Sequence, residues 1–215
     1  MSEQEAAARE WLRNLPGVDD AAMARLERLV ALLAEENTRQ NLVSASSMGE
    51  VWQRHIVDSA QLLSFVPRET AAPVWLDLGT GAGFPGLVIA ALNPSWEVLM
   101  VESRGRRVEW LRCACAELGL ANAQVIPLRL EQVETRKVDV ISARAFAPLD
   151  RLLDLSARFS TRATIWLLPK GRSAAQELAG LSGWSHAFHV EQSLTDAEAG
   201  IVVGHLSGAQ AGVKR

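Results

Sequence analysis

Apolar residues recur at helical spacing in two segments of the first third of the chain. The first segment follows Asp19 and Asp20, which are favourable N-cap residues, and carries Met23, Leu26, Leu29, Val30 and Leu33. The second segment carries Val51, Trp52, His55, Ile56, Ser59, Leu62 and Leu63. The stretch between them, residues 37–48, is polar and predicts a loop. We therefore predict an N-terminal helical extension over residues 1–68.

The pattern changes at residue 74, where short apolar runs begin to alternate with helical segments. Such runs, bounded by turn residues, are typical of buried strands. The predicted strands are Val74–Leu78, Trp96–Val101, Gln124–Leu128, Val138–Ser142 and Ala163–Leu168, and the runs Trp184–Glu191 and Ile201–Leu206 predict a final antiparallel hairpin. Alternation of strands and helices favours an α/β fold. We predict a mostly parallel seven-stranded sheet with helices on both faces, over residues 69–215.

Three glycines at alternate positions, Gly79, Gly81 and Gly83, follow the first predicted strand. Glycine adopts positive φ easily and lets a ligand lie against the backbone, and the helix after such a loop presents unpaired N–H groups. Read from Gly81, the loop matches the G-x-G-x-x-G pattern of dinucleotide-binding proteins. Read from Asp77, it is acid-x-G-x-G-x-G, which resembles motif I of S-adenosylmethionine (SAM) methyltransferases. NAD and SAM are both candidate cofactors, and a glycine-rich turn without a ligand is the third possibility.

An acidic residue, Glu102, ends the second predicted strand. In nucleotide-binding α/β folds an acid at this position accepts hydrogen bonds from the two hydroxyls of a ribose. Because NAD and SAM both contain that ribose, Glu102 indicates a nucleoside ligand without choosing between them. The alternative is a solvated acid at a strand end.

Polar side chains follow three of the other predicted strands. In open α/β sheets the ligand binds outside the carboxyl ends of the strands, so these residues are candidates for the site. Glu131 would accept from an adenine amino group, with Leu130 against the ring, unless the pair only begins a helix. Arg144 directly follows a buried strand, where an unpaired cation is costly, so it meets an anion, a carbonyl or a salt-bridge partner. The same argument applies to Lys170, which follows the fifth predicted strand.

The charge balance limits how the chain can meet nucleic acid. The 215 residues carry 22 Lys and Arg against 25 Asp and Glu, a net charge of −3, so an RNA contact must use a local basic patch. The run Arg104–Arg107, with Arg112 further along, forms a basic helix face that is either a phosphate contact or simply solvated.

The sequence gives little support for a disulfide, a metal site or a catalytic nucleophile. The two cysteines, Cys113 and Cys115, point to different faces of one predicted helix and favour neither a disulfide nor a zinc site, and we expect no metal. The four histidines lie in no nucleophile motif and none follows a core strand. The N-terminal residues are acidic with no apolar signal core, and no apolar run is long enough to span a bilayer, so we expect a cytoplasmic protein without a membrane partner.

Several segments together resemble one family. They are Asn41–Val43, Arg54–Ser59, Asp77–Gly86, Arg106–Val108, Arg129–Glu131, Ser142–Phe146 and Lys170–Gly171. In this order they are similar to the RsmG (GidB) family of 16S ribosomal RNA guanine-N7 methyltransferases, over roughly residues 37–171, and the R-H-I-x-D-S and G-F-P-G strings are the most specific of them. The last third of the chain matches poorly, so contacts to substrate there stay open.

The resemblance implies a Rossmann-like, SAM-dependent methyltransferase fold with an N-terminal helical cap. It implies that Gly79, Phe84, Leu130, Glu131 and Arg144 line the SAM pocket, with Glu102 at the ribose; Gly81 and Gly83 join this set from the glycine loop. The candidate contacts to substrate RNA are Arg54, Arg106, Arg107, Arg144 and Lys170.

The function that we predict is methylation of N7 of a guanosine in the decoding-region loop of 16S rRNA, acting as a monomer on the RNA or the small ribosomal subunit. Guanine N7 has a free lone pair at neutral pH, so no general base is needed, and no convincing base follows a strand. The alternatives are an NAD-dependent oxidoreductase, for which a proton-relaying Tyr or His beside the nicotinamide is missing, and a non-catalytic RNA-binding assembly protein on the same fold.

Overall fold

The computed structural model describes residues 3–67, 70 and 73–209. Helices α1 (Glu3–Arg13) and α2 (Asp20–Asn37) begin the chain. The side chain of Asp19 accepts a hydrogen bond from the N–H of Ala22, which confirms the predicted N-cap. The predicted loop over residues 37–48 is wrong in its second half, where α3 (Ala45–Gly49) forms. Ser44 caps this short helix by accepting from the N–H of Ser47, so local hydroxyl chemistry decides the segment.

The second predicted helix forms, but its winding changes twice along its length. It consists of a π-helical turn, Trp52–Val57, then α4 (Asp58–Ala60) and a 3-10 turn, Gln61–Phe65. We call residues 52–57 the π segment. A π turn is rare and occurs often at functional sites, because it rotates the side chains that follow it relative to an α-helix.

Five parallel strands form the centre of the sheet. They are β1 (Val74–Leu78), β2 (Glu97–Val101), β3 (Ala123–Ile126), β4 (Val140–Ala143) and β5 (Ile165–Gly171), in the spatial order β3-β2-β1-β4-β5. The third strand ends earlier than predicted, so Leu128 lies outside the sheet and is exposed. β1 pairs with β2 on one side and β4 on the other. The strand order reverses there, which is where open α/β sheets bind ligands.

The remaining strands complete the sheet beside β5. Strand β8 (Gly200–Ala209) runs antiparallel to β5. Two short strands, β6 (Trp184–His186) and β7 (His189–Gln192), pair antiparallel with successive parts of β8. The sheet thus has eight strands in seven positions, because the outermost predicted strand is interrupted at residues 187–188. The predicted hairpin and the α/β class are confirmed.

Helices cover both faces of the sheet. On one face α2 packs against α5 (Gly86–Leu92), beside α6 (Gly105–Glu117), and their shared core includes Leu26, Ile56, Leu87 and Trp110. The core of the other face includes Leu149, Phe159 and Trp166, under α7 (Leu149–Ser156), and α8 (Ala174–Ala179) follows β5.

The predicted domain boundary between 68 and 69 lies outside the described residues, and the division into two domains stays a prediction. No helix in the described ranges is long and apolar enough to cross a membrane.

Candidate active site

The glycine loop lies at the carboxyl end of β1, and its backbone explains the glycines. Gly79 and Gly81 have φ of 65° and 60°, in the left-handed region that other residues avoid. A Cβ on Gly79 would collide with the ring of Phe146, and a Cβ on Gly81 would lie 3.3 Å from Nη1 of Arg107. Both positions therefore exclude a side chain by conformation and by space.

The side chain of Asp77 holds this loop in place. Its side chain is fully buried and accepts from the hydroxyl of Ser142 (2.7 Å) and from the N–H of Gly86 (3.0 Å). Ser142 in turn accepts from Nε1 of Trp75. Burial raises the pKa of Asp77 to about 6, and the hydrogen bonds from Ser142, Thr80 and Gly86 oppose that rise. The acid of the motif thus connects β1, β4 and the start of α5.

Glu102 is buried, which contradicts the alternative of a solvated acid at a strand end. Its Oε2 accepts from the N–H of Gly81 (3.1 Å), and its Oε1 accepts from the N–H of Arg104 (2.8 Å). Nη1 of Arg107 lies 4.0 Å from Oε2. Each carboxylate oxygen can accept further hydrogen bonds, so the group stays competent to accept two hydroxyls.

A cavity of about 240 Å³ opens in front of Glu102. Its lining includes Gly79, Arg107, Leu128, Leu130 and Phe146. We call it the cofactor cavity. Leu130 is buried here as predicted, but Glu131 is exposed and is not part of the lining. The two residues begin a 3-10 turn, Leu130–Gln132, which directs consecutive side chains to different sides.

Arg144, at the end of β4, reaches across to the N-terminal helices. Its Nη1 lies 3.3 Å from Oδ2 of Asp58, and its Nη2 lies 3.2 Å from Nδ1 of His55. Its guanidinium also lies 5.4 Å from the ring centroid of Phe84, in the glycine loop. The salt-bridge alternative that the sequence left open is therefore realised with Asp58. Phe84 itself is buried and stacks on the ring of His55.

A larger cavity of about 580 Å³ adjoins the cofactor cavity. We call it the substrate cavity. Four parts of the chain form its walls: residues 47–58, residues 144–148, residues 169–177 and residues 193–201. Ala145 and Phe146 line both cavities, and Phe146 lies against Gly79. These two residues form the partition between the cavities.

The C-terminal third of the chain supplies one wall through the loop that joins β7 to β8. The buried side chain of Gln61 holds this loop: its Nε2 donates to Oγ of Ser193 (3.2 Å) and its Oε1 accepts from the N–H of Leu194 (2.8 Å). Thr195 donates to Oδ1 of Asp58 (2.8 Å). Motif matching gave no role to this loop, because no recognisable pattern marks it.

The basic residues that the sequence grouped together have separate positions. Arg106 donates from Nη2 to the carbonyl of Arg39, whereas Arg107 lines the cofactor cavity, so the two side chains have different surroundings. Arg54 lines the substrate cavity, with Nη1 3.7 Å from Oδ2 of Asp196. Lys170 also lines it, but its side chain is only 7% exposed.

Lys170 is held by two acceptors. Its Nζ donates to the carbonyl of Ala147 (2.6 Å) and lies 3.0 Å from Oε2 of Glu177. Burial alone would raise the pKa of Glu177, but hydrogen bonds from Ser173 and Lys170 lower it below its ordinary value. Glu177 is therefore ionised, and it anchors Lys170 in the cavity wall.

Sequence reasoning missed His55 and Asp58, which no strand precedes. The only signal for them was their place in the R-H-I-x-D-S string. Burial, with the positive charges of Arg144 and Arg54, lowers the pKa of His55 to about 4, so its ring is neutral at physiological pH.

Comparison with known proteins gives a consistent result. A family model described as "GidB: rRNA small subunit methyltransferase G" matches residues 22–197. A ribosomal RNA small subunit methyltransferase G from Erythrobacter litoralis is 64% identical over 187 residues, which cover 86% of this chain and 89% of the relative. One from Novosphingobium aromaticivorans is 58% identical over 204 residues, covering 94% and 88%. A solved SAM-dependent methyltransferase from Aquifex aeolicus shares the fold, with a TM-score of 0.58 at 15% identity, covering 78% of this chain and 95% of that one.

Proposed function

Because the chain belongs to the rRNA small subunit methyltransferase G (GidB) family, we propose that it transfers a methyl group from SAM to N7 of a guanosine in the decoding-region loop of 16S rRNA. The observation that carries the proposal is the pair of adjoining cavities. One is bounded by the glycine loop and Glu102, and the other by the N-terminal helices and the β7–β8 loop. Cavities that adjoin at Ala145 and Phe146 place two reactants next to each other, as direct group transfer requires.

The residues of the cofactor cavity fit SAM. Gly79 lines the cavity, Glu102 has lone pairs for the ribose hydroxyls, and Leu130 offers an apolar surface to the adenine. Gly81 donates its N–H to Glu102, Gly83 packs against Leu87, and both stay predicted cofactor contacts of the same loop. When bound, SAM supplies an electrophilic methyl group on a sulfonium. Arg144 lines the substrate cavity and lies against the ring of Phe84, which is buried in the glycine loop. Glu131 stays a predicted adenine contact, although its exposed side chain would have to turn inward.

The substrate cavity offers groups of both charges to a guanine. Lys170 and Arg144 are donors suited to the O6 edge of the base, and the carboxylates of Asp58 and Glu177 are acceptors suited to its N1 and N2 donors. Methylation at N7 leaves the base positively charged, and the nearby carboxylates stabilise that charge. Arg54, at 47% side-chain exposure, is the best placed of the predicted RNA contacts to meet a phosphate.

Transfer to N7 requires alignment rather than proton removal. Holding two reactants in line can lower the barrier by roughly 7 kcal/mol or more. Two of the carboxylates that line the cavity already accept several hydrogen bonds: Asp58 accepts from Arg144, Gln61 and Thr195, and Glu177 accepts from Lys170, Ser173 and Leu149. Glu177 is a poor base, because hydrogen bonds from Ser173 and Lys170 hold its pKa below the ordinary value. This supports N7 over an exocyclic amine, whose methylation calls for a proton acceptor.

The test is chemical mapping of ribosomal RNA. The positive charge of N7-methylguanosine makes the nucleotide sensitive to borohydride reduction and aniline cleavage. RNA from cells that lack the gene should lose one such guanosine, and purified protein with SAM should restore it on isolated small subunits. The Gly81→Arg variant, which fills the cofactor loop, should not restore it.

Each rival function has its own outcome in this test. A different methyl group missing by mass spectrometry, with all N7 sites intact, would refute the N7 assignment and leave the fold standing. An unchanged methylation pattern with altered subunit assembly would favour a non-catalytic RNA-binding protein. Binding of NAD and not SAM by calorimetry would favour an oxidoreductase.

Two further parts of the proposal concern the setting of the reaction. The ribosomal substrate favours a cytoplasmic location. A monomer is expected, and light scattering on the purified protein measures its molar mass.

Whether Arg106 and Arg107 contact RNA stays a prediction. Their separate positions favour a structural role for Arg106 and a cofactor role for Arg107.

A further inference from the structure

The π segment brings a histidine into the middle of the site. The ring of His55 is stacked on that of Phe84, with centroids 4.9 Å apart and planes 15° from parallel. On its edge, Nδ1 lies 3.2 Å from Nη2 of Arg144. The residue is only 8% exposed, so both contacts are shielded from water.

The direction of the His55–Arg144 hydrogen bond follows from chemistry. A guanidinium can only donate, so Nδ1 must accept, and the ring proton is assigned to Nε2. A protonated ring would place two cations against each other, and the depressed pKa of His55 agrees with the neutral form. Nε2 is buried and has no hydrogen-bond partner among the described residues.

An unpartnered buried N–H lowers stability, so the ring nitrogens of His55 are not explained by packing alone. A phenylalanine would fill the same place against Phe84 without that cost. What only the imidazole supplies is the acceptor at Nδ1. The imidazole therefore leaves a buried N–H without a partner at Nε2 and gains one hydrogen bond to Arg144 at Nδ1.

The other contacts that hold the side chain of Arg144 are long. Arg144 directly follows β4 and precedes Ala145, whose φ of 51° is unusual for a residue with a side chain. Its other partners are Asp58 at 3.3 Å and the carbonyl of Arg54 at 3.4 Å, both at the long end of the hydrogen-bond range. All three partners come from the N-terminal helices, and His55 makes the shortest contact.

We propose that His55 is a positioning residue for methyl transfer: its neutral ring, stacked on Phe84, fixes the guanidinium of Arg144 between the cofactor loop and the substrate cavity. The proposal rests on the proposed function. It gives the N-terminal helical extension a direct part in the reaction, since the group that it orients stands at the junction of the two cavities.

Two substitutions separate the roles of the ring. His55→Phe keeps the stack on Phe84 and removes the acceptor, whereas His55→Asn keeps a side-chain oxygen near the position of Nδ1 and removes the stack. We expect His55→Phe to lower kcat/KM by at least about tenfold while the melting temperature does not fall, and His55→Asn to recover activity to within about threefold of wild type. His189→Asn, on an exposed histidine of β7, is the control.

A double-mutant cycle shows whether His55 acts through Arg144. In the Arg144→Ala background, His55→Phe should change kcat/KM by less than about twofold. Additive losses, or full activity in His55→Phe alone, would overturn the proposal. If His55→Phe does not fold, the same cycle with His55→Leu, which also removes the acceptor at Nδ1 and adds no charge, decides: its effect must vanish when Arg144 is absent.

The same cycle can be read in SAM affinity by calorimetry, so that it does not depend on the substrate. A wild-type protein that binds SAM but methylates no subunit would refute the proposed function. Coupling between His55 and Arg144 in SAM affinity would still support the positioning role, and its absence in both readouts would refute it.

Discussion

Asp77 and Glu102 are buried carboxylates on neighbouring parallel strands, yet their partners give them different tasks. Asp77 is enclosed by Ser142 and the backbone of Gly86, so it organises the loop and meets no ligand. Glu102 holds the backbone of Gly81 and still borders a cavity. At the scale of single residues, Asp77 holds the glycine loop in place, and Glu102 offers a carboxylate at the cavity beside that loop.

Gly81 is the residue whose replacement should most directly affect the cofactor. Its φ of 60° is unfavourable for any other residue, and a Cβ there would press on the guanidinium of Arg107. Gly81→Arg should weaken SAM binding by more than tenfold, about 1.4 kcal/mol, in calorimetry. Gly119→Arg is the matched control, because Gly119 has a similar φ of 64° in open space. Equal SAM affinity in the two variants would mean that the loop is not the cofactor site.

The stability of the protein should depend on pH through His55 and Asp77 with opposite signs. The folded-state pKa of Asp77 is raised from 3.8 to about 6, so ionisation of this group costs stability as pH rises through that interval. The folded-state pKa of His55 is lowered from 6.5 to about 4, so its contribution is complete above pH 6.5 and is lost as pH falls toward 4. In the wild type the two effects partly cancel.

Removing His55 should isolate its own contribution, because Asp77 is present in both proteins and cancels in the difference. The deficit in unfolding free energy of His55→Asn relative to wild type should shrink by up to about 2 kcal/mol between pH 7.5 and pH 5, because only the wild type loses the histidine contribution. Urea unfolding at the two pH values measures this difference, with His189→Asn as the exposed control. A deficit independent of pH would show that the pKa of His55 is not depressed.

Among the elements, the β7–β8 loop is held by side chains of the N-terminal helical segment, of which Gln61 makes two hydrogen bonds. Gln61 is buried and bonds both to Ser193 and to the backbone of Leu194, so it holds a wall of the substrate cavity. Gln61→Ala should cost on the order of 2 kcal/mol of stability and speed hydrogen exchange of the Leu194 amide at least tenfold. The exposed Gln132 gives the control variant, Gln132→Ala. Unchanged protection at Leu194 would show that the loop holds itself.

The whole molecule has a net charge of −3, so its contact with RNA must be local. Arg54 borders the substrate cavity, and Arg54→Ala should reduce the salt slope of subunit binding by about 0.7–0.9. Arg136→Ala is the matched control, because Arg136 is equally exposed but is paired with Glu97 at the start of β2, the opposite edge of the sheet. Equal salt slopes for both variants would place the RNA elsewhere.

The sequence by itself determined the fold class, the glycine loop and the position of Glu102. These features depend on neighbours in the chain: apolar runs of strand length, glycines that permit positive φ, and a helix start. The same reasoning located Leu130 and Arg144, because parallel strands bring their carboxyl ends to one edge.

Only the tertiary structure decided which side chains meet there. His55 and Arg144 are separated by 89 positions, and no local pattern encodes their contact. The burial of Asp77, the anchoring of Lys170 by Glu177 and the hydrogen bond from Arg106 to the carbonyl of Arg39 likewise depend on packing between different elements. Backbone conformation is set by interactions within a few residues, whereas the partners and the pKa of a buried polar group depend on whatever the folded chain places around it.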